Sequence, residues 1–347
     1  MQYLKRAWYC ASWSYEITRQ PMARTILDEQ VLLYRKEDGS AVAIGNICPH
    51  RFAPLNLGEL RGDAIQCPYH GLRFDHTGAC VLNPHDERIS PSLKVKAYPI
   101  VERHRAIWIW MGEPGLANPA LVPDCSHHDN SKFRTIFDRI PVPGNYELVS
   151  DNLLDLTHIR FLHKSFVAPK VKAFEYKLVQ DGQTVRSIYN MRESERAGIM
   201  DVTWPQAPEL LDIYVSMRWN APANLTLTNR IVAAGSPEES GVLGMTSHLI
   251  TPETATSSHY FWATSRDYLL DDAAFERRLH ENTQRVITDE DAVMIGLVQR
   301  SMGQTGDIRA LRAVILPTDG AAMRARLILG QLLKAENGAS DMKSATG

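Results

Sequence analysis

The chain has 347 residues, 44% of them apolar and 22% charged, and a formal net charge of −2. That length suits two domains, each with its own core, and the near-neutral balance gives neither nucleic acid nor an anionic membrane a reason to bind. No apolar run approaches the roughly 20 residues needed to cross a bilayer, "MQYLKRAWYCASW" lacks the apolar stretch of a secretory signal, and five cysteines do not read as a disulfide framework. The expectation is a cytoplasmic, reduced protein.

The first third reads as β structure. "VLLYRKEDGSAVAIGN" predicts a hairpin from Val31 to Asn46, turning at Asp38-Gly39, and "RAIWIWMGEPG" predicts a strand closed by Pro114-Gly115, with Trp108 and Trp110 in a core. The stretch from Glu113 to Asp124 predicts a linker, with solvated His127 and His128 just beyond it. "FEYKLVQDGQTVRSIYNM" predicts a hairpin turning at Asp181-Gly182, and a second should turn near Pro252-Glu253. A short helical segment covers Asn152 to His163. From Asp271 the pattern becomes helical, with a final helix from Ala321 to Ala335 and a disordered polar tail over 336–347. The fold class is α+β, an N-terminal all-β domain over 5–115 followed by a sheet covered by helices over 125–335.

Two short loops carry the first chemistry. Cys48-x-His50 is followed, after sixteen intervening residues, by Cys67-x-x-His70. Zinc fingers pair Cys with Cys and His with His on other spacings, which leaves structural zinc a lesser alternative, and a mononuclear redox metal would use fewer thiolates. A Rieske [2Fe–2S] cluster takes two thiolates on one iron and two imidazoles on the other, and Cys-His alternation lets both loops clamp both irons. Cys10, Cys80 and Cys125 read as buried or incidental thiols.

The second constellation is "DNLLDLTHIRFLH". Asp155 and His158 share a helix face, whereas His158 and His163 diverge by ~140° on an ideal helix, so both reach one metal only where the helix ends or distorts. Two histidines and a carboxylate with open positions form the facial triad of non-haem Fe(II) oxygenases. The carboxylate must come from afar, and "TDEDAVMIGLVQ" offers Asp289, Glu290 and Asp291 at an expected helix start, where the dipole also favours acids. His248 and His259 lie on predicted pocket strands, and Arg218 and Arg230 could pair with a substrate carboxylate.

"CPHR…CPYHG" resembles the Rieske domain of bacterial ring-hydroxylating and demethylating oxygenases, and "NLLDLTHIRFLH" resembles the D-x-x-H-x₄-H segment of their catalytic domain. The resemblance covers about residues 5 to 335. "LITPETATSSHYFWATSRDY" is similar to a strand pair in the vanillate O-demethylase, dicamba monooxygenase and toluenesulfonate methyl-monooxygenase group. It implies that Cys48, His50, Cys67 and His70 hold the cluster and that His158, His163 and Asp291 (Asp289 as fallback) bind mononuclear Fe(II). Asp155 would bridge an iron-ligand histidine to a neighbouring subunit's cluster, with Asn152 lining the site. The implied catalytic fold is a helix-grip, an antiparallel sheet curled around a long helix. Implied partners are a separate reductase or ferredoxin carrying electrons from NAD(P)H, O₂, and an aromatic acid whose methyl or methoxy group is hydroxylated, the assembly being a head-to-tail homotrimer. Aromatic ring hydroxylation is the alternative within this class, and electron transfer without oxygenation the alternative outside it. The chain has no G-x-G-x-x-G motif to bind the nicotinamide itself. Arg51 and Tyr69 stand where respiratory Rieske proteins carry extra cysteines, which predicts a potential towards the low end of the roughly −150 to +300 mV range.

Overall fold

The computed structural model describes residues 2–163, 170–196, 203–204 and 206–344, with side chains through 338. The chain divides into two units, residues 5–124 together with 251–254, and the remainder.

In the first unit, β1 (Trp8–Trp13) pairs with β10 (Ala106–Trp110) and that with β9 (Ile100–Arg103). A meander joins β2 (Met22–Ile26), β3 (Glu29–Arg35) and β4 (Ala41–Gly45), whose last turn uses Gly39 at φ 83 as the sequence anticipates. The third sheet takes β5 (Glu59–Arg61), β6 (Ala64–Gln66), β7 (Arg73–Phe74) and β8 (Cys80–Leu82) in order. Alternating apolar residues close one core around Leu32, Tyr34, Ile44, Ile65 and Phe74. Trp108 and Trp110 are buried as expected. The segment over 113–124 ends where the first unit ends and packs onto it, Trp8 Nε1 donating to the Asn118 carbonyl at 2.8 Å and Arg103 to that of Pro119 at 3.0 Å.

The second unit is built on a seven-stranded antiparallel sheet ordered β11-β17-β16-β15-β14-β13-β12. Its strands are β11 (Arg134–Val142), β12 (Ala173–Asp181), β13 (Thr184–Glu195), β14 (Leu210–Asn220), β15 (Asn224–Ala233), β16 (Val242–Thr254) and β17 (Ser257–Arg266). The hairpin at Asp181-Gly182 falls where predicted. The next one turns just after Thr254, close to the expected Pro252-Glu253, and the Pro252 carbonyl accepts the Leu27 N–H at 2.9 Å.

Helices cover one face of this sheet. They are α1 (Tyr146–Leu154), α2 (Ile159–Leu162), α3 (Ala273–Arg285), α4 (Ala292–Met302) and α5 (Gly320–Ser344). Ser187 on β13 donates to the Leu154 carbonyl of α1, and Trp262 on β17 donates to Gln284 of α3. α5 runs nine residues beyond Ala335, into the stretch expected to be disordered. Its middle is anchored by buried Ile328, Leu329 and Leu333, and the residues that follow include one glycine and no proline, so the helix propagates. His127 and His128 are 7% and 2% exposed rather than solvated, since both rings reach the Ser247 hydroxyl, at 2.9 and 3.0 Å. All five cysteines are buried and free.

Candidate active site

The two Cys-His loops have matching backbones. In the first, the Phe52 N–H donates to the Cys48 carbonyl at 2.9 Å, and in the second the Gly71 N–H donates to that of Cys67 at 3.1 Å. The residue four after each cysteine takes positive φ, 58° at Phe52 and 73° at Gly71. Cys48 and Cys67 are sunk in the apolar core at 1% and 2% exposure, whereas His50 is exposed and His70 half-buried. The two imidazoles lie edge to face with centroids 4.5 Å apart. Burial, reinforced by Cys67 beside it, pushes the Cys48 thiol up to about 11, and His70 Nδ1 is buried without a hydrogen-bond partner. Two adjacent buried thiols and an orphaned imidazole nitrogen have no satisfactory state on their own. They fit a group that supplies positive charge to sulfur and accepts a nitrogen lone pair, as a [2Fe–2S] cluster does.

In the second unit, one ligand atom from each of His158, His163 and Asp291 lies within 4.8 Å of the other two, the only such three-residue group among the described residues. The distortion that the sequence demanded is present. A 3₁₀ turn over Leu156–His158 leads into the four-residue α2, and His163 follows with extended φ −85 and ψ 94. His158 Nδ1 donates to the Asp155 backbone carbonyl at 2.6 Å, and His163 Nδ1 to Glu290 Oε2 at 2.7 Å. In their neutral forms both rings therefore keep the Nε2 lone pair, and the two Nε2 atoms face Asp291 Oδ1 at 3.4 and 3.7 Å. Asn152 Nδ2 donates to the same oxygen at 3.2 Å. Burial opposes protonation of His158, but Asp291 and the Asp155 carbonyl outweigh it and raise its pKa. The Asp155 carboxylate caps Thr157 N–H at 2.9 Å and holds His158 only through its backbone.

Asp289, Glu290 and Asp291 are not at a helix start. α3 runs through a π-helical turn, Val286–Asp291, directly into α4, and the added residue in that turn carries Asp291 to the buried side at 7% exposure. Local π-turns of this kind are common at functional sites.

Strand parity sorts the remaining candidates. Trp219, Leu225 and His248 lie opposite one another across β14, β15 and β16 and share the helix-covered face. His248 Nδ1 meets the Tyr260 hydroxyl at 2.6 Å, and both feel the Asp291 charge. Burial holds His248 down at about 4 and keeps Tyr260 protonated, so the phenol donates to Nδ1 and the ring presents Nε2–H, which is buried without a partner. Arg218 and His259 occupy alternate positions and point to the other face, where Arg218 donates to Thr226 at 3.2 Å. The structure does not bring them to His248's side, because a shift of one residue reverses a strand side chain. Tyr260, Glu290 and Arg285 were missed. Only parity with His248 could have pointed to Tyr260, and the acids' supposed helix start had explained Glu290 away.

Residues 7–99 match the Rieske [2Fe-2S] domain family and residues 142–335 the vanillate O-demethylase oxygenase C-terminal domain family. The chain belongs to the Rieske non-haem iron oxygenases. This Rieske oxygenase is 36% identical to the oxygenase component of chloroacetanilide N-alkylformylase from Rhizorhabdus wittichii, over 96% of this chain and 97% of that one. It is 35% identical to the oxygenase component of dicamba O-demethylase from Stenotrophomonas maltophilia, over 93% and 96%. Its fold superposes on dicamba monooxygenase bound to 3,6-dichlorosalicylic acid with a TM-score of 0.92 and 32% identity, covering 97% and 99% of the two chains. It is an enzyme, the oxygenase component of a multicomponent Rieske monooxygenase that takes electrons from a separate reductase. Among the described residues no helix is long and apolar enough to cross a membrane.

Proposed function

We propose that this Rieske oxygenase hydroxylates a methyl or methoxy carbon of an aromatic acid, with Cys48, His50, Cys67 and His70 holding the [2Fe–2S] cluster and His158, His163 and Asp291 the mononuclear iron. The observation that carries this reading is the convergence of those last three side chains beside a helix-covered sheet face from which neutral His248 presents an unpartnered N–H. When bound, the cluster supplies single electrons and the iron activates O₂. The chain's own residues do the rest. Asn152 fixes the Asp291 carboxylate, and the Asp155 carbonyl fixes the His158 tautomer. Tyr260 holds His248 so that its Nε2–H donates to an acceptor oxygen of the substrate. A methoxy group hydroxylated at carbon becomes a hemiacetal, which collapses to the phenol and formaldehyde.

The same reading places the enzyme in the cytoplasm, in keeping with five free cysteines, as a head-to-tail homotrimer in which Asp155 meets the neighbouring copy's cluster domain. The test is turnover with NADH and a surrogate reductase on a panel of methoxy-, methyl- and N-alkyl-substituted aromatics, trapping formaldehyde. Formaldehyde with about three irons per chain supports it. Two irons per chain, with reduction but neither formaldehyde nor hydroxylated product, would leave an electron-transfer protein instead.

A further inference from the structure

The two histidines of the candidate iron site are secured in different ways. His158 is held locally, by a neutral carbonyl three residues earlier in its own segment. His163 follows a four-residue helix, and its ring is held from 127 residues away by the Glu290 carboxylate. Glu290 spends both oxygens, Oε2 on His163 Nδ1 at 2.7 Å and Oε1 on Arg285 Nη1 at 2.6 Å.

That clamp depends on the backbone. Residues five apart, as Arg285 and Glu290 are, diverge by about 140° on an α-helix. Arg285 closes α3, and the π-turn over Val286–Asp291, with its i→i+5 bonding, brings the two residues into register on one side. One helical defect thus sets Glu290 against its guanidinium and turns the next residue, Asp291, toward the imidazoles.

We propose that Glu290 is a positioning residue for His163, and that Arg285, by occupying its second oxygen, holds it against Nδ1 while Asp291 is the carboxylate offered to the iron. The proposal rests on the iron-site reading above. A carboxylate on the far nitrogen of a metal-bound imidazole fixes its tautomer and strengthens it as a donor, and losing such a partner costs about 10- to 100-fold in metal affinity. Arg285→Ala frees Oε1 and lets the carboxylate swing, which loosens its hold on His163 Nδ1 and so the ring's aim at the iron.

The test uses ferrous holoenzyme. It compares wild type, Glu290→Gln, Arg285→Ala and Arg285→Lys by the rate at which a ferrous chelator strips the mononuclear iron, and by the electron paramagnetic resonance line shape of the Fe(II)–nitrosyl adduct. Cluster absorbance confirms folding in each. Glu290→Gln should lose iron at least about tenfold faster with the cluster intact, and Arg285→Ala should shift the line shape, restored by Arg285→Lys. A protein carrying both Glu290→Gln and Arg285→Ala should lose iron little faster than Glu290→Gln alone. If Glu290→Gln fails to fold, the Arg285 pair decides the matter by the same two readouts. Wild-type iron retention and an unchanged signal in the variants, in a protein whose wild type holds a third iron, would overturn the proposal and leave the iron-site reading intact. A wild type with no third iron would overturn that reading instead, and this proposal with it.

Discussion

Glu147 on α1 is 2% exposed, with Oε1 accepting from Arg309 at 3.2 Å and Oε2 buried without a partner. Burial drives its pKa from 4.5 up to about 7, Arg309 pulling the other way. The folded state therefore prefers the neutral acid, with the proton on Oε2. A group raised on folding has its full stability below the unfolded pKa and loses it as pH climbs through the folded value, so this contribution fades between about pH 4.5 and 7. The difference of some 2.5 units between those two values is worth about 3 kcal/mol once both states are ionised, at 1.36 kcal/mol per unit. Glu147→Gln removes the titration and keeps a neutral side chain of the same shape. It should raise the stability of the catalytic unit by about 3 kcal/mol at pH 8, roughly 6–12 °C in melting temperature for a unit of about 200 residues. At pH 4.5 the gain should shrink to a few tenths of a kcal/mol. Calorimetry of both proteins across this range measures the difference directly. Equal shifts at both ends, or a gain only in acid, would refute an acid kept neutral by burial.

Asp291→Asn should retain the cluster's visible spectrum while mononuclear iron falls to background, read by elemental analysis against absorbance. His248→Ala and Tyr260→Phe should each cut kcat/KM by about 10- to 100-fold, the scale of one lost buried hydrogen bond of about 1–3 kcal/mol, with three irons still bound. A similar loss accompanied by iron release would show instead that His248 serves the metal. Gly71→Ala forces a Cβ onto a residue at φ 73 and to within 3.3 Å of Pro84, so cluster content per chain should drop. A full cluster in that variant would show that the loop adapts.

Much of the molecule was legible in its residues. The two Cys-His loops announce their chemistry by spacing, and the hairpins at Gly39 and Gly182 fall where their turn residues put them. The need for a helix distortion between His158 and His163 followed from 100° per residue alone. What escaped depends on tertiary context. A π-turn has no composition of its own, so Asp289 to Asp291 looked like a capped helix start, and Glu290 looked incidental. Which face a residue of β14 to β17 takes depends on strand register, which the residues alone leave open, so nothing in them separated the sides of Arg218 and His259 from that of His248. The burial of His127 and His128 required knowing that Ser247 would come to meet them.

The sheet's two-residue rhythm also partitions what the enzyme can vary. Along β14 to β17, one set of alternate side chains looks toward the covering helices and the other toward a seam closed by His127, His128 and Ser247. Substitutions confined to the first set can reshape the helix-covered side without loosening that seam. Variation there can accumulate while the scaffold stays put, and libraries aimed at a new substrate need randomise only every second position on these four strands.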